Sequence, residues 1–203
     1  MHKRYPMQDS PFYKLKGKGQ LERLLRTELS DVGELTSAAN YRVWMEDGRE
    51  IQAPKNRLAA VHKRMATLLK RISPPDYVFS TKGRSHIDNA AQHIGKVPLI
   101  KTDIKKFYPS TTREMVLRFF REDLLCATDI ANILADLCCF ERRHLPTGSA
   151  ISGYIAFLAA KPMFDRVEEM AIGEGCTMST FVDDIAISGA SAKMSLLLRV
   201  WRV

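Results

Sequence analysis

Two carboxylates stand side by side in the run Phe181-Val182-Asp183-Asp184-Ile185-Ala186-Ile187-Ser188-Gly189. Thr180, Val182, Ile185 and Ile187 favour a strand, and Gly189 favours a turn. Asp is a poor strand former and like charges repel, so the run reads as a hairpin with Asp183 and Asp184 at or beside its bend. Two readings are open. In one, Asp supplies ordinary turn chemistry. In the other, a divalent cation offsets the repulsion. A second run, Val97 to Ile104, reads as a buried-type strand that ends on Asp103, 80 residues upstream of Asp183. If the two strands are sheet neighbours, three carboxylates converge on one edge. Hard oxygen ligands in that number suit Mg²⁺ or Mn²⁺. Two such ions about 3.5–4 Å apart serve in-line phosphoryl transfer. Spacing alone is equally consistent with two unrelated acidic turns.

The surrounding elements must bring these strands together. Leu21, Leu24, Leu25 and Leu29 form a helical stripe, and Ser30-Asp31 opens a second short helix. Asp47-Gly48, flanked by Tyr41–Trp44 and Arg49–Gln52, is a hairpin signal. Pro54 can start a long helix with Leu58, Val61, Met65, Leu68, Leu69 and Ile72 on its apolar face, stopped by Pro74-Pro75. Its polar face carries Lys55, Arg57, Lys63, Arg64, Lys70 and Arg71. Tyr77-Val78-Phe79 reads as a short strand. Thr81 to Ser85 is a basic, glycine-containing loop, Ser85 caps a helix from His86 to Ile94, and Gly95 ends it. Lys105 to Ser110 reads as a turn, and Ser110 or Thr111 caps a helix with Met115, Val116, Phe119 and Phe120. Asp129 caps the next helix. After the loop Leu145–Ser149 comes a long apolar helix over 151–170, and a last helix starts near Ala192.

Composition sets the class. The chain has 203 residues, 45% hydrophobic and 27% charged, ordinary values for a globular protein with a real core. No apolar run reaches the roughly 20 residues of a membrane span, and the start shows no leader peptide, so a cytoplasmic location is expected. Cys126, Cys138, Cys139 and Cys176 fit neither a zinc pattern nor a disulfide framework and read as small buried hydrophobes. The net charge is +8. Residues 53–106 hold 12 Lys or Arg against 3 Asp or Glu, while 1–52 balance at 9 against 8 and 107–203 at 10 against 12. One contiguous third carries the excess, which points to a polyanionic partner; a solvated surface is the plainer reading.

These residues carry a resemblance. Val97, Lys101-Thr102-Asp103-Ile104 and Lys105-Lys106-Phe107-Tyr108-Pro109-Ser110 resemble motif A of bacterial reverse transcriptases of the retron, group II intron and anti-phage kind. Leu145 to Ser152 resembles motif B, and Phe181-Val182-Asp183-Asp184 resembles motif C. Lys82-Gly83-Arg84-Ser85 with Asn89-Ala90 and His93 resembles the fingers motif, and Pro54 to Leu69 the basic fingers helix before it. The set runs in order from about residue 40 to 190. Phe181 departs from the usual tyrosine of motif C, Thr147 from the usual glutamine of motif B, and Gly153 from a common proline.

The resemblance implies an α+β fold of fingers and palm, with an antiparallel palm sheet backed by helices and a thumb absent. It implies an N-terminal helical arm over 1–40, fingers over 41–96 and palm over 97–203. It also implies an RNA-directed DNA polymerase using two Mg²⁺ ions. Asp103, Asp183 and the carbonyl of Ile104 would face the metals, and Asp184 would complete the acidic cluster near the primer end. Lys82 or Arg84 would clamp the triphosphate, Tyr108 would exclude a 2′-OH, and Thr147-Gly148 would lie under the nucleotide. Lys55, Arg57, Lys63 and Arg64 are expected to face nucleic acid. Expected partners are an RNA template, a DNA or RNA primer, dNTPs and a chain or segment supplying a thumb, with no membrane. The alternatives are a nucleic-acid-binding or partner-binding module without catalysis, and protein-primed or untemplated synthesis.

Overall fold

The computed structural model describes residues 3–193 together with Ser195, Leu196 and Leu198. The helix expected from Ala192 onward lies mostly outside the described residues. The chain divides into two compact units, each assembled from separate stretches. One comprises the residues up to Ser73 with Lys106–Ala159, and the other Pro74–Lys105 with the chain from Ala160.

The first unit is mainly helical. Helix α1, Lys18–Leu25, ends at Arg26 in the left-handed region (φ 57°). Helix α2, Val32–Leu35, is capped by Asp31, whose carboxylate accepts from the Glu34 amide. Strands β1, Tyr41–Glu46, and β2, Arg49–Pro54, form an antiparallel hairpin. Its two-residue turn has Asp47 at φ 48° and Gly48 at φ 72°, the backbone that an Asp-Gly pair favours because both central positions need positive φ. Pro54 closes β2 instead of opening the helix, and α3 runs Asn56–Leu69 after Lys55. A proline at the end of an edge strand loses no ladder bond.

Beyond α3, the Lys105–Ser110 turn contains a short helix α5, Phe107–Ser110. Helix α6, Arg113–Arg118, is capped by Thr112, one residue past the expected cap, and passes into a π-turn over Phe119–Asp123. Helix α7 spans Thr128–Cys138, with Asp129 inside the first turn, where its charge favours the helix dipole, and not at the cap. Phe12, Leu21, Leu58, Met65, Phe119, Phe120, Ile130 and Leu134 are wholly buried. The four cysteines are buried as free thiols, and burial drives the Cys126 and Cys139 thiols up to about 11 and about 12.

The second unit holds a three-stranded antiparallel sheet in the order β3-β5-β4. These strands are β3, Leu99–Asp103; β4, Thr177–Phe181; and β5, Asp184–Ser188. Residues 77–79 do not form the expected strand. They run beside β4 through one parallel bridge, with the Thr180 amide donating to Tyr77 O and the Phe79 amide to Thr180 O. Helix α4, His86–Ala91, has the Ser85–Asp88 capping box, and Gly95 (φ 72°) closes the turns after it. Helix α8, Ser152–Gly173, passes from one unit into the other. In the second unit its Phe164, Val167 and Ala171 are buried, and Asp165 accepts from the Tyr77 hydroxyl at 2.6 Å. Strand β3 is not buried as expected. It lies at the sheet's edge among the described residues, and Leu99 is 55% exposed. No helix among the described residues is long and apolar enough to cross a membrane.

Candidate functional site

The second unit brings the three acidic residues to one end of its sheet. Strand register opposes Asp103 to Asp184, and Asp184 in turn opposes Phe181. Directly opposed residues of an antiparallel pair share a face, so Asp103 and Asp184 lie side by side. Ile185 and Ile187 alternate to the other face and are buried. Asp183 sits in the β4–β5 turn, and its carbonyl accepts from the Ile104 amide at 3.0 Å. The ladder therefore continues one step past Asp103 and ties the end of β3 to the turn.

That turn is made by Val182 and Asp183, and Val182 has φ 61°. A β-branched residue in the left-handed region is a genuine outlier, with a cost on the order of 1–3 kcal/mol where surrounding structure enforces it. Here the paired strands on both sides enforce it. Asp103 is exposed, while Asp183 and Asp184 are half-buried.

The donors are acidic oxygens at adjoining strand ends, which is the chemistry a hard cation takes. As the side chains stand, no group of three or more His, Cys, Asp or Glu among the described residues could hold a metal ion. Asp184 instead meets Lys101 at 3.2 Å. Both partners of that pair are substantially exposed, so it contributes little.

Below the carboxylates, on the same face, His93 bridges two strands. Its Nδ1 lies 2.7 Å from Ser188 Oγ and its Nε2 lies 2.7 Å from Ser179 Oγ. Lys96 donates to Thr177 Oγ1 at 2.9 Å, and the His86 ring meets Phe181 edge-on. Partial burial, with the Lys96 charge second, lowers the pKa of His93.

Arg84 is occupied with local structure. It donates to the carbonyls of Asp76 (2.6 Å) and Val78 (2.9 Å), pairs with the Asp76 carboxylate and stacks over Phe79. Lys82, in the same loop, is exposed.

The remaining sequence-derived residues lie in the first unit. Arg64 donates to Leu24 O at 2.9 Å and Arg57 to Thr27 Oγ1 at 2.8 Å, so these two cations also tie α3 to the end of α1. Lys55 and Lys63 are exposed. Tyr108 packs beside Phe107, and its hydroxyl would lie 3.7 Å from a Cβ at Gly153.

The Leu145–Ser149 loop is held at every residue. The Leu145 amide donates to Thr111 O (3.2 Å), and Ser152 Oγ to Pro146 O (2.5 Å). Thr147 donates through its amide to Gln52 Oε1 (3.1 Å) and through Oγ1 to Glu50 O (2.8 Å). The Gly148 amide donates to Gln52 O at 3.0 Å, and Ser149 Oγ lies 2.6 Å from His62 Nδ1. A Cβ on Gly148 would stand 2.9 Å from Ile51 Cγ2 and 3.0 Å from Gln52 O.

Sequence reasoning missed Gln52 and His62. Gln52 carries no sequence signal. His62 does: with Leu58, Met65 and Leu69 it completes a spacing of four, three and four residues on the apolar face of α3, where a polar side chain needs partners.

No family model matches the chain. Individual proteins do. It is 31% identical over 146 residues to the Retron Se72 reverse transcriptase of Salmonella heidelberg, covering 69% of this chain and 37% of that protein. The chain is homologous to the bacterial retron reverse transcriptases. A second retron relative, the Retron Ec86 reverse transcriptase of Escherichia coli, is 29% identical over 124 residues, covering 61% of this chain and 38% of its own length. A third, the Retron Ec48 reverse transcriptase of the same organism, is 24% identical over 206 residues, covering 92% of this chain and 50% of itself. The chain thus spans half or less of the length of these retron relatives.

Proposed function

We propose that this chain carries the catalytic carboxylates of an RNA-directed DNA polymerase. The observation that carries the reading is the register of the second unit: Asp103 opposite Asp184, with the Ile104 amide on the Asp183 carbonyl. Asp103, Asp183 and the carbonyl of Ile104 would hold Mg²⁺, and Asp184 would stand beside the primer end. Bound there, the metal supplies Lewis-acid stabilisation of the attacking and leaving oxygens.

The reaction is attack of a primer 3′-OH on the α-phosphate of a dNTP, with pyrophosphate leaving. Asp183 is a bend residue whose backbone carbonyl is anchored by the Ile104 amide at the end of β3. Lys82 or Arg84 is proposed to hold the triphosphate, and the Arg84 guanidinium also donates to the carbonyls of Asp76 and Val78. The Thr147-Gly148 backbone is proposed to lie against the nucleotide, and the Tyr108 ring to select against a 2′-OH. An RNA template, a primer and a thumb supplied by further chain or by a partner complete the proposal, in the cytoplasm and in a retron or anti-phage setting.

The test is primer extension on poly(rA)/oligo(dT) with dTTP and Mg²⁺ or Mn²⁺. Asp183→Asn is expected to abolish extension while leaving the circular dichroism spectrum and unfolding midpoint near those of the unaltered chain. Extension by that variant at the unaltered rate would sink the assignment. One observation favours a second reading, a nucleic-acid-binding module without catalysis: Asp184 is engaged by Lys101, and no three-ligand group is formed among the described residues. Salt-sensitive RNA binding without extension by the unaltered chain would select that module.

A further inference from the structure

His62 is wholly buried in the middle of α3, and no role was assigned to it among the residues of that helix. Its Nε2 lies 2.6 Å from the Leu137 carbonyl and its Nδ1 lies 2.6 Å from Ser149 Oγ. A carbonyl oxygen can only accept, so Nε2 bears the hydrogen. Burial keeps the ring neutral, which makes Nδ1 the acceptor and Ser149 Oγ–H its donor. Ser149 Oγ in turn accepts from the Ile151 amide at 3.3 Å. One chain of hydrogen bonds therefore runs from the first residues leading into α8, through Ser149 and the imidazole, to the end of α7. Each member has a fixed direction.

The consequence falls on the loop. Thr147 and Gly148 are held from one side by Glu50 and Gln52 of β2. Ser149, the next residue, is held by α3. The loop's backbone is thus pinned by two elements at successive residues, and the buried imidazole supplies the second pin. A residue that fixes a loop without touching what the loop binds acts on the geometry of binding, where displacements of about 1 Å cost up to about a hundredfold.

We propose that His62 is a positioning residue: as the neutral Nε2–H tautomer it holds Ser149, and through it sets the Thr147-Gly148 backbone against the incoming nucleotide. The nucleotide part rests on the polymerase reading; the loop part stands on the geometry alone.

The experiment uses the full chain and its variants His62→Leu, Ser149→Ala, the double variant and His62→Gln. Two readouts are taken: hydrogen exchange by mass spectrometry over residues 145–152, and dTTP steady-state kinetics on poly(rA)/oligo(dT). His62→Leu and Ser149→Ala are each expected to speed exchange in 145–152 with α3 still protected. Each should raise the KM for dTTP about tenfold, with kcat changed by less than about threefold. The double variant should cost no more than the larger single change, because both cut the same link. His62→Gln, whose amide carries one acceptor and one donor, should recover most of the KM.

Unchanged exchange in 145–152, or multiplicative costs in the double variant, overturns the proposal. So does a loss confined to kcat. If the unaltered chain extends no primer, the polymerase reading and the nucleotide part fall together, and the exchange result alone decides whether His62 sets the loop.

Discussion

A single imidazole makes the stability of the first unit depend on pH. Desolvation holds the pKa of His62 down from 6.5 to about 4. Above the unfolded value the ring is neutral in both states. As pH falls below it, the unfolded chain takes up a proton that the folded chain refuses, so stability is lost between about 6.5 and about 4 and levels off below. The full loss is about 3 kcal/mol. Urea unfolding at pH 7, 5.5 and 4 should show it, and His62→Leu should flatten that part of the curve. Gly148 poses a steric counterpart. A methyl group there meets Ile51 and the Gln52 carbonyl, and the carbonyl cannot yield without losing the Gly148 amide bond. Gly148→Ala is expected to destabilise by about 1–3 kcal/mol, read as a lower unfolding midpoint. The positions of the three aspartates were legible because charge inside a β-branched run is conspicuous. The partners of His62 were not, since Ser149 and Leu137 lie 87 and 75 residues away and no local pattern encodes such a pairing.

At the scale of elements, the hairpin bearing Asp183 is the instructive case. Its strands were readable from alternation, and its bend from a pair of aspartates that neither favour a strand nor tolerate each other within one. The left-handed backbone was not, because valine is among the last residues that conformation selects, and only the pairing of β4 with β5 imposes it. Val182→Gly should relieve about 1–2 kcal/mol of strain and give back part through backbone entropy. The net expectation is a gain of up to about 1 kcal/mol, seen as a higher urea midpoint at unchanged slope. Caps were legible for a related reason: Asp31 and Ser85 act within three residues of themselves. Strand β3 misled because Val-Pro-Leu-Ile is apolar whether or not a neighbour covers it; exposure is decided by sheet order, which the strand's own residues do not encode. Residues 77–79 make one bridge to β4, and on the side away from it the Val78 amide donates to Pro75 O while the Val78 carbonyl accepts from Arg84.

For the whole molecule, the basic third is the feature that composition made plain. It is shared between the two units, with 53–73 and Lys106 in one and 74–105 in the other. Binding of single-stranded RNA should therefore weaken steeply with salt, with a log–log slope of about −0.7 for each phosphate contacted. Fluorescence anisotropy at several potassium chloride concentrations measures that slope, and a slope near zero would leave the charge as a solubilising surface. The α+β class was legible through the resemblance that the ordered motifs carry. The division into units was not, because each is stitched from two stretches that local patterns treat as unrelated. That stitching has a consequence for biosynthesis. The first unit lacks its own second stretch until Ala159 has left the ribosome. The sheet of the second unit cannot pair fully until Ser188 has followed. A nascent chain halted near residue 105 would thus have completed neither, and each unit can close only after its second stretch has been synthesised.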